Sequence, residues 1–248
     1  MNITVQRVKV AEFTKFIKKL LSIDKFVYLK LNGGNIISNC YLPERDAVKL
    51  QSIAMSEIFE ISDIPEKQIK MSFLNGSHTI EALSHFTGEQ VTAEITCREL
   101  GGDTIATSIK LISDGLVVTL PCADPSLGFQ DMNEDQIKAV FATDNNLFSF
   151  EVQPFHLDKL TALFNLEKEH ETFRVTNNEE GIKFKGVTYD SLVVSPNGKT
   201  EPSEVTFYKK YIGLLDKESY NVTICGHKAV WRSLDSETML TIATCSGL

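Results

Sequence analysis

The side chains with which this sequence could bind metal or attack a substrate are its five histidines and five cysteines, and their spacing builds neither kind of site. His78, His85, His156, His170 and His227 form no H-E-x-x-H pair, and Cys40, Cys97, Cys122, Cys225 and Cys245 contain no C-x-x-C. Scattered cysteines with no histidine at zinc spacing read as small buried hydrophobes, so no metal and no cofactor is expected. No G-x-S-x-G, phosphate loop or G-x-G-x-x-G occurs, and the glycines of LNGGN (31–35) lack the lysine and hydroxyl that complete a phosphate cradle.

Lysine is the remaining chemistry. A cation directed at phosphate holds nucleic acid without reading its bases, because phosphate contacts position a protein whereas base edges specify sequence. Lys15, Lys18 and Lys19 stand at i, i+3 and i+4, and Lys159, Lys209 and Lys210 recur on later helical stretches. From spacing alone such clusters read as solvated helix faces.

The elements that carry them follow from the apolar pattern. Phe13, Phe16, Ile17, Leu20 and Leu21 make one stripe of a helix over 10–22, with the lysines on its other side. Strands are expected at 26–31, at 35–42 across an NGG turn, and at 47–55 after Pro43. A strand at 69–74 and a short helix at 78–86, closed by Gly88, precede strands at 91–98, 104–112 and 116–120. The polar, acidic stretch LPCADPSLGFQDMNEDQI (120–137) then interrupts the pattern.

Beyond it the order recurs. A strand at 147–152 leads to Pro154 at a helix start, and Leu157, Leu160, Leu163 and Phe164 continue the helical stripe. Strands at 173–176, 182–187, 191–194 and 205–208, a short helix at 209–215 and strands at 220–225, 229–234 and 239–244 complete the chain. The expected fold is α+β, a duplicated unit that is itself internally doubled, with domains at 1–123 and 147–248 joined by a connector at 124–146. The single Trp231, in an alternating strand, is expected to pack a sheet face.

Length and charge agree with this organisation. A chain of 248 residues with 42% hydrophobic content buries one large core or two smaller ones. A formal charge of −8 excludes a protein whose whole surface coats nucleic acid or anionic lipid, while leaving room for a local basic stripe. The start of the chain lacks a signal-peptide pattern and no apolar run approaches a membrane span, so a soluble, cytoplasmic protein is expected. The sequons at Asn2, Asn75 and Asn221 are then without use.

This order of elements resembles that of the sliding clamps, the processivity factors of DNA polymerases, and most closely the trimeric clamps of T-even-type bacteriophages. The likeness lies in ADPS (123–126), in LDKLTALFNLEKEHETFRVTNNEEGIKFKG (157–186) and in YNVTICGHKAVWRSLDSETMLTIATC (220–245). It implies antiparallel sheets packed on two helices in each domain, and three copies closing into a six-domain ring with helices around the hole. Duplex DNA passes through without sequence reading, a DNA polymerase is tethered, an ATP-dependent clamp loader places the ring, and no bond is made or broken. The compartment would be the cytoplasm, that of an infected host cell if the protein is viral.

The resemblance also reassigns residues. Lys15, Lys18, Lys19, Lys159, Lys209 and Lys210 become DNA-facing. Val117, Val118 and Leu120, with Asp190, Leu192 and Val194, become edge strands at a subunit interface, where Asp114 and Asp190 would otherwise blunt ordinary edges. Leu127, Phe129 and Met132 become the place where a partner's peptide tail docks, or else pins of the connector. The sequence departs from the family in a less basic lining, because the second helix offers His78 and His85 against Glu81, and Asp158, Glu167 and Glu169 offset Lys159 and Lys168. A non-enzymatic, β-rich virion or tail-assembly protein is the alternative, and it has no reason to gather lysines around one hole.

Overall fold

The computed structural model describes residues 1–62, 66–88, 90–125, 132–188, 190–197 and 201–245, except for the side chains of 190–193. The chain forms two compact units, one of Met1–Cys40 with Leu50–Met132, the other of Tyr41–Lys49 with Asn133–Leu248.

The first half runs β1 (Asn2–Val8), α1 (Val10–Leu20), β2 (Val27–Asn32), β3 (Asn35–Tyr41), β4 (Ala47–Ala54), a 3-10 turn (Met55–Glu57) and β5 (Phe59–Ile61). It continues with β6 (Ile69–Phe73), α2 (Gly76–Ser84), β7 (Thr92–Leu100), β8 (Asp103–Ser113) and β9 (Leu116–Pro121). The strands of the first unit lie in the order β3-β2-β6-β8-β7-β1-β5, with β9 on β8. All but one of these pairs are antiparallel; β6 meets the start of β8 in parallel, Ile69 opposite Thr104.

Tight hairpins set the registers. Gly33 and Gly34 both have positive φ, 56° and 83°, the mirror-image turn whose twist matches that of the flanking strands. Gly76 serves a different need: a Cβ there would lie 2.6 Å from Leu21 Cδ2 and 2.7 Å from Val27 Cγ2, so only glycine lets the start of α2 seat against the end of α1 and β2. Asn75 caps that helix, its side chain accepting from His78 N–H. The helix ends at Ser84 with His85 as its cap, so Gly88 lies beyond the position expected of it.

The second half runs α3 (Glu134–Phe141), β10 (Asn146–Val152), α4 (Pro154–Leu166), β11 (Thr172–Asn178), β12 (Gly181–Lys185), β13 (Asp190–Val194) and β14 (Ser203–Tyr208). A 3-10 segment (Lys209–Leu214) and β15 (Tyr220–Cys225), β16 (Lys228–Ser233) and β17 (Glu237–Ala243) follow. Here the strands form the runs β10-β15-β16-β17 and β13-β12-β11-β14, all antiparallel. An aromatic core binds this unit, Phe150 meeting Phe184 edge-on at 5.6 Å and Phe173 packing on Phe164 at 4.9 Å.

The duplication is visible in pairing. β1 on β7 corresponds to β10 on β15, β2 on β6 to β11 on β14, and β7-β8-β9 to β15-β16-β17. The expected elements give no range for β1, the 3-10 turn at Met55–Glu57, β5 or α3. The stretch 124–146, expected as a connector, contains α3, which opens on a reciprocal cap: Asn133 Oδ1 accepts from Gln136 N–H and Gln136 Oε1 from Asn133 N–H, both at 2.9 Å. Phe141 is its buried residue, and Arg232 and Lys228 donate to carbonyls at its C-terminal end, Phe141 O at 2.7 Å and Val140 O at 2.8 Å.

Candidate nucleic-acid interface

The helix α1 divides cleanly into two faces. Phe13, Phe16, Ile17 and Leu20 are buried, Phe13 touching Phe59 edge-on at 5.2 Å, and each such side chain contributes roughly 2–3 kcal/mol by leaving water. That burial fixes the opposite face outward. Lys15 and Lys18 are exposed and Lys19 is half-buried, so three cations project from one surface about a turn apart. Among the described residues no ion pair involves Lys15 or Lys18. Lys18 and Lys19 also sit in the last turn, where the helix dipole favours positive charge.

The exposed face of α2 has no such cluster. Its His78 and Glu81, both exposed, lie 3.7 Å apart.

On α4, Leu157 and Leu160 point inward and Lys159 is exposed, its Nζ 5.4 Å from the centre of the Phe155 ring. His156 Nδ1 accepts from Gln153 N–H at 3.0 Å, and burial together with the neighbouring Lys159 lowers its pKa, so this histidine caps the helix as a neutral acceptor. Asp158 is paired with Lys217 at 2.7 Å.

The two lysines that open the 3-10 segment have different fates. Lys209, its side chain 10% exposed, donates to Glu167 O at 2.9 Å, lies 3.4 Å from Glu167 Oε2, and rests over the Phe164 ring. Its ammonium is therefore taken up inside the unit rather than offered outward. Lys210 stays exposed, 3.6 Å from Asp46 Oδ2 and over the rings of Tyr208 and Tyr211. Between the end of α4 and the 3-10 segment lies an open groove of about 790 Å3 whose rim carries Lys168, His170 and Lys210.

Glu167 is the acid that organises this corner. Its carboxylate accepts from Val187 N–H at 3.1 Å, from Thr188 N–H, from Thr188 Oγ1 and from Lys209. Burial by itself would raise its pKa, but those donors outweigh it and hold the group down at about 2. Neither its role nor that of Thr188 was legible in the sequence, where Glu167 counted only as a charge offsetting lysines.

The expected edge strands are present. β9 pairs with β8 alone and β13 with β12 alone among the described residues. On β9, Leu116 and Val117 are exposed, Val118 is half-buried and Leu120 is buried; on β13, Val194 is buried, and Asp190 and Leu192 are placed by backbone only. Asp114 sits in the turn before β9 with φ of 40°.

Of the residues expected to receive a partner, Leu127 and Phe129 lie outside the described residues. Met132 is half-buried and its carbonyl accepts from Lys30 Nζ at 2.9 Å, which pins the end of the first unit. A small apolar pocket of about 200 Å3 lies between Leu74, His78, Leu120 and Cys122, and burial pushes the Cys122 thiol up to about 12, the state of an inert hydrophobe. Trp231 packs inward against Tyr220 at 6.0 Å.

No protein-family model and no curated protein matches the sequence. The fold does match solved structures over the full chain. It is similar to a chain of the PCNA2-PCNA3 complex from Sulfolobus tokodaii, with a TM-score of 0.64, 11% identity and 100% of both chains covered. It is similar to A. fulgidus PCNA, solved with the C-terminal region of FEN-1, at 0.67 and 9% identity, covering 100% of this chain and 98% of that one. The Helicobacter pylori beta clamp bound to a DNA ligase peptide matches at 0.65 and 13% identity, with 100% of this chain covered and 67% of the other. The fold is thus that of the DNA clamps, two units of mixed sheet with few helices.

Proposed function

We propose that this chain is a sliding clamp that closes with two further copies into a ring around duplex DNA and tethers a replicative DNA polymerase. An ATP-dependent loader places the ring, and the chain belongs with the trimeric clamps of T-even-type bacteriophages, acting in the cytoplasm of the infected cell. The task needs no cofactor and no catalytic group.

One observation carries the reading. Within the second unit, the last strand of the second half, β17, has residues of the β3–β4 connection along its edge, Ala243 N–H donating to Asp46 O at 2.7 Å. The last strand of the first half, β9, has nothing along the corresponding edge among the described residues, and β13, the second-half counterpart of β4, has an open edge as well. Pairing β13 of one copy with β9 of the next repeats an arrangement the chain already contains. Such a contact is heterologous, and it yields a closed ring when the rotation per copy closes. Three chains of two units supply six domains.

The charges support the same use. A chain of −8 repels DNA at long range, whereas Lys15, Lys18 and Lys19 on α1, with Lys159 and Lys210, supply phosphate contacts without base reading. Lys209 is left out of this lining because Glu167 holds it. Binding to open-ended DNA is then weak and salt-sensitive, and retention comes from topology. Tethering raises the polymerase's effective concentration at the primer end, so rebinding outruns escape.

The test is mass in solution followed by primer extension on a circular template with the cognate polymerase and loader. A species of three times the 27.7 kDa chain and longer products are expected. A monomer at every concentration, or unchanged product length, overturns the reading.

A further inference from the structure

We propose that Glu167 is a positioning residue that fixes the β12–β13 connection, so that the open edge of β13 and the apolar residues beside it are presented to a second copy of this chain. This rests on the clamp reading for the identity of the partner, though not for the local geometry.

Three elements converge on one carboxylate. Glu167 follows the last residue of α4, its side chain is 3% exposed, and it receives the backbone N–H groups of Val187 and Thr188, the Thr188 hydroxyl and the Lys209 ammonium. Val187 and Thr188 lie between β12 and β13, just before the strand begins at Asp190. A connection with two backbone donors bound to a fixed acceptor gives β13 a set starting point, and register decides which face every strand residue presents.

β13 departs from regular pairing at this place: its register with β12 shifts between Phe184 and Lys185, where Lys185 faces Asp190. A bulge beside an edge re-aims the strand, so the segment needs an anchor from outside its own ladder. Glu167 supplies it.

Two apolar side chains next in sequence to this cluster are left in water. Leu166 is 78% exposed and Val187 is 64% exposed, and each adjoins a residue of the Glu167 cluster in sequence. The other open edge, β9, shows exposed apolar side chains too, Val117 at 52%. An open strand edge flanked by apolar side chains fits another strand edge of the same kind, backbone groups giving affinity and side chains selectivity. The occupant that matches is β9 of a second copy.

The test compares the wild-type protein with Glu167→Gln and the milder Thr188→Val, by hydrogen exchange and by mass over a concentration series. Exchange at 190–194 is expected to quicken at least about tenfold in Glu167→Gln, the scale of one lost charge-assisted contact, with β11 and β15 unchanged. The dissociation constant for self-association is expected to rise at least about tenfold with it. Thr188→Val, which leaves the charge in place, is expected to show both effects at smaller size, and it decides the matter if Glu167→Gln fails to fold. Unchanged exchange at 190–194 overturns the positioning role. Faster exchange with unchanged assembly, in a wild type that assembles, overturns the link to the partner surface. A wild type that stays monomeric sinks the clamp reading and leaves the exchange result to judge the local role.

Discussion

The lysines of α1 and the lysines of the 3-10 segment look alike in sequence and do different work in the fold. On α1 the stripe Phe13, Phe16, Ile17 and Leu20 claims the inner face, so Lys15 and Lys18 are left exposed on the other. In the second unit Lys209 finds a buried carboxylate and a ring, and Lys49, 1% exposed, finds Asp216 at 3.0 Å and Leu214 O at 3.3 Å. A cation held by a buried acid is withdrawn from a polyanion. The α1 lysines thus lie on an exposed face, whereas Lys49 and Lys209 are spent on holding the second unit together.

The largest effect is expected at the presented charges. Reversing Lys15, Lys18 and Lys19 to Glu should weaken binding to linear duplex about a thousandfold at low salt and reduce the salt slope by about 3, measured by fluorescence titration. Stability should stay within about 0.5 kcal/mol of wild type, as for surface substitutions generally. A collapse of the fold instead would mean that these side chains face the core.

The next effect lies in the second unit. Lys49→Met should cost about 3 kcal/mol in urea denaturation, because it leaves Asp216 without its partner, and should not touch the salt slope. Lys209→Met should lower the melting temperature by about 2–4 °C with DNA binding unchanged. If Lys209→Met weakens DNA binding as the α1 variants do, the distinction between the two groups fails.

Acid titration addresses the same corner. A carboxylate whose pKa falls on folding contributes its stability in full above its unfolded value of about 4.3, and the contribution fades as pH drops toward the folded value. For Glu167, held at about 2, stability should therefore decline between about pH 4 and pH 2, and Glu167→Gln should flatten that part of the profile. The smallest effect belongs to Lys159→Ala, about 0.5 kcal/mol from the exposed contact with Phe155, with a salt slope lower by about 1.

What could be read from the sequence follows the same division. The stripe of α1 and the glycine turns are local patterns, so the helix, its outward lysines and the hairpins at 32–35, 100–103 and 113–116 were all foreseen. The doubled order of strands was legible because each run is bounded by turn residues. α3 had a signal in Asn133, Gln136, Ile137, Val140 and Phe141, a capping pair ahead of helical spacing, which the acidic surroundings obscured. Nothing local marked Lys209 as held or Glu167 as its holder, since Glu167, Val187, Thr188 and Lys209 meet only after the second unit has folded.

The most direct measurement is release from DNA after loading onto a nicked circle, followed by washing in high salt and then by cutting the circle once. Retention on the circle through the wash and prompt loss after the cut are the expected results, because a closed ring is held by topology and leaves only over an end. Loss during the wash, or equal retention on cut and uncut DNA, would contradict an encircling clamp.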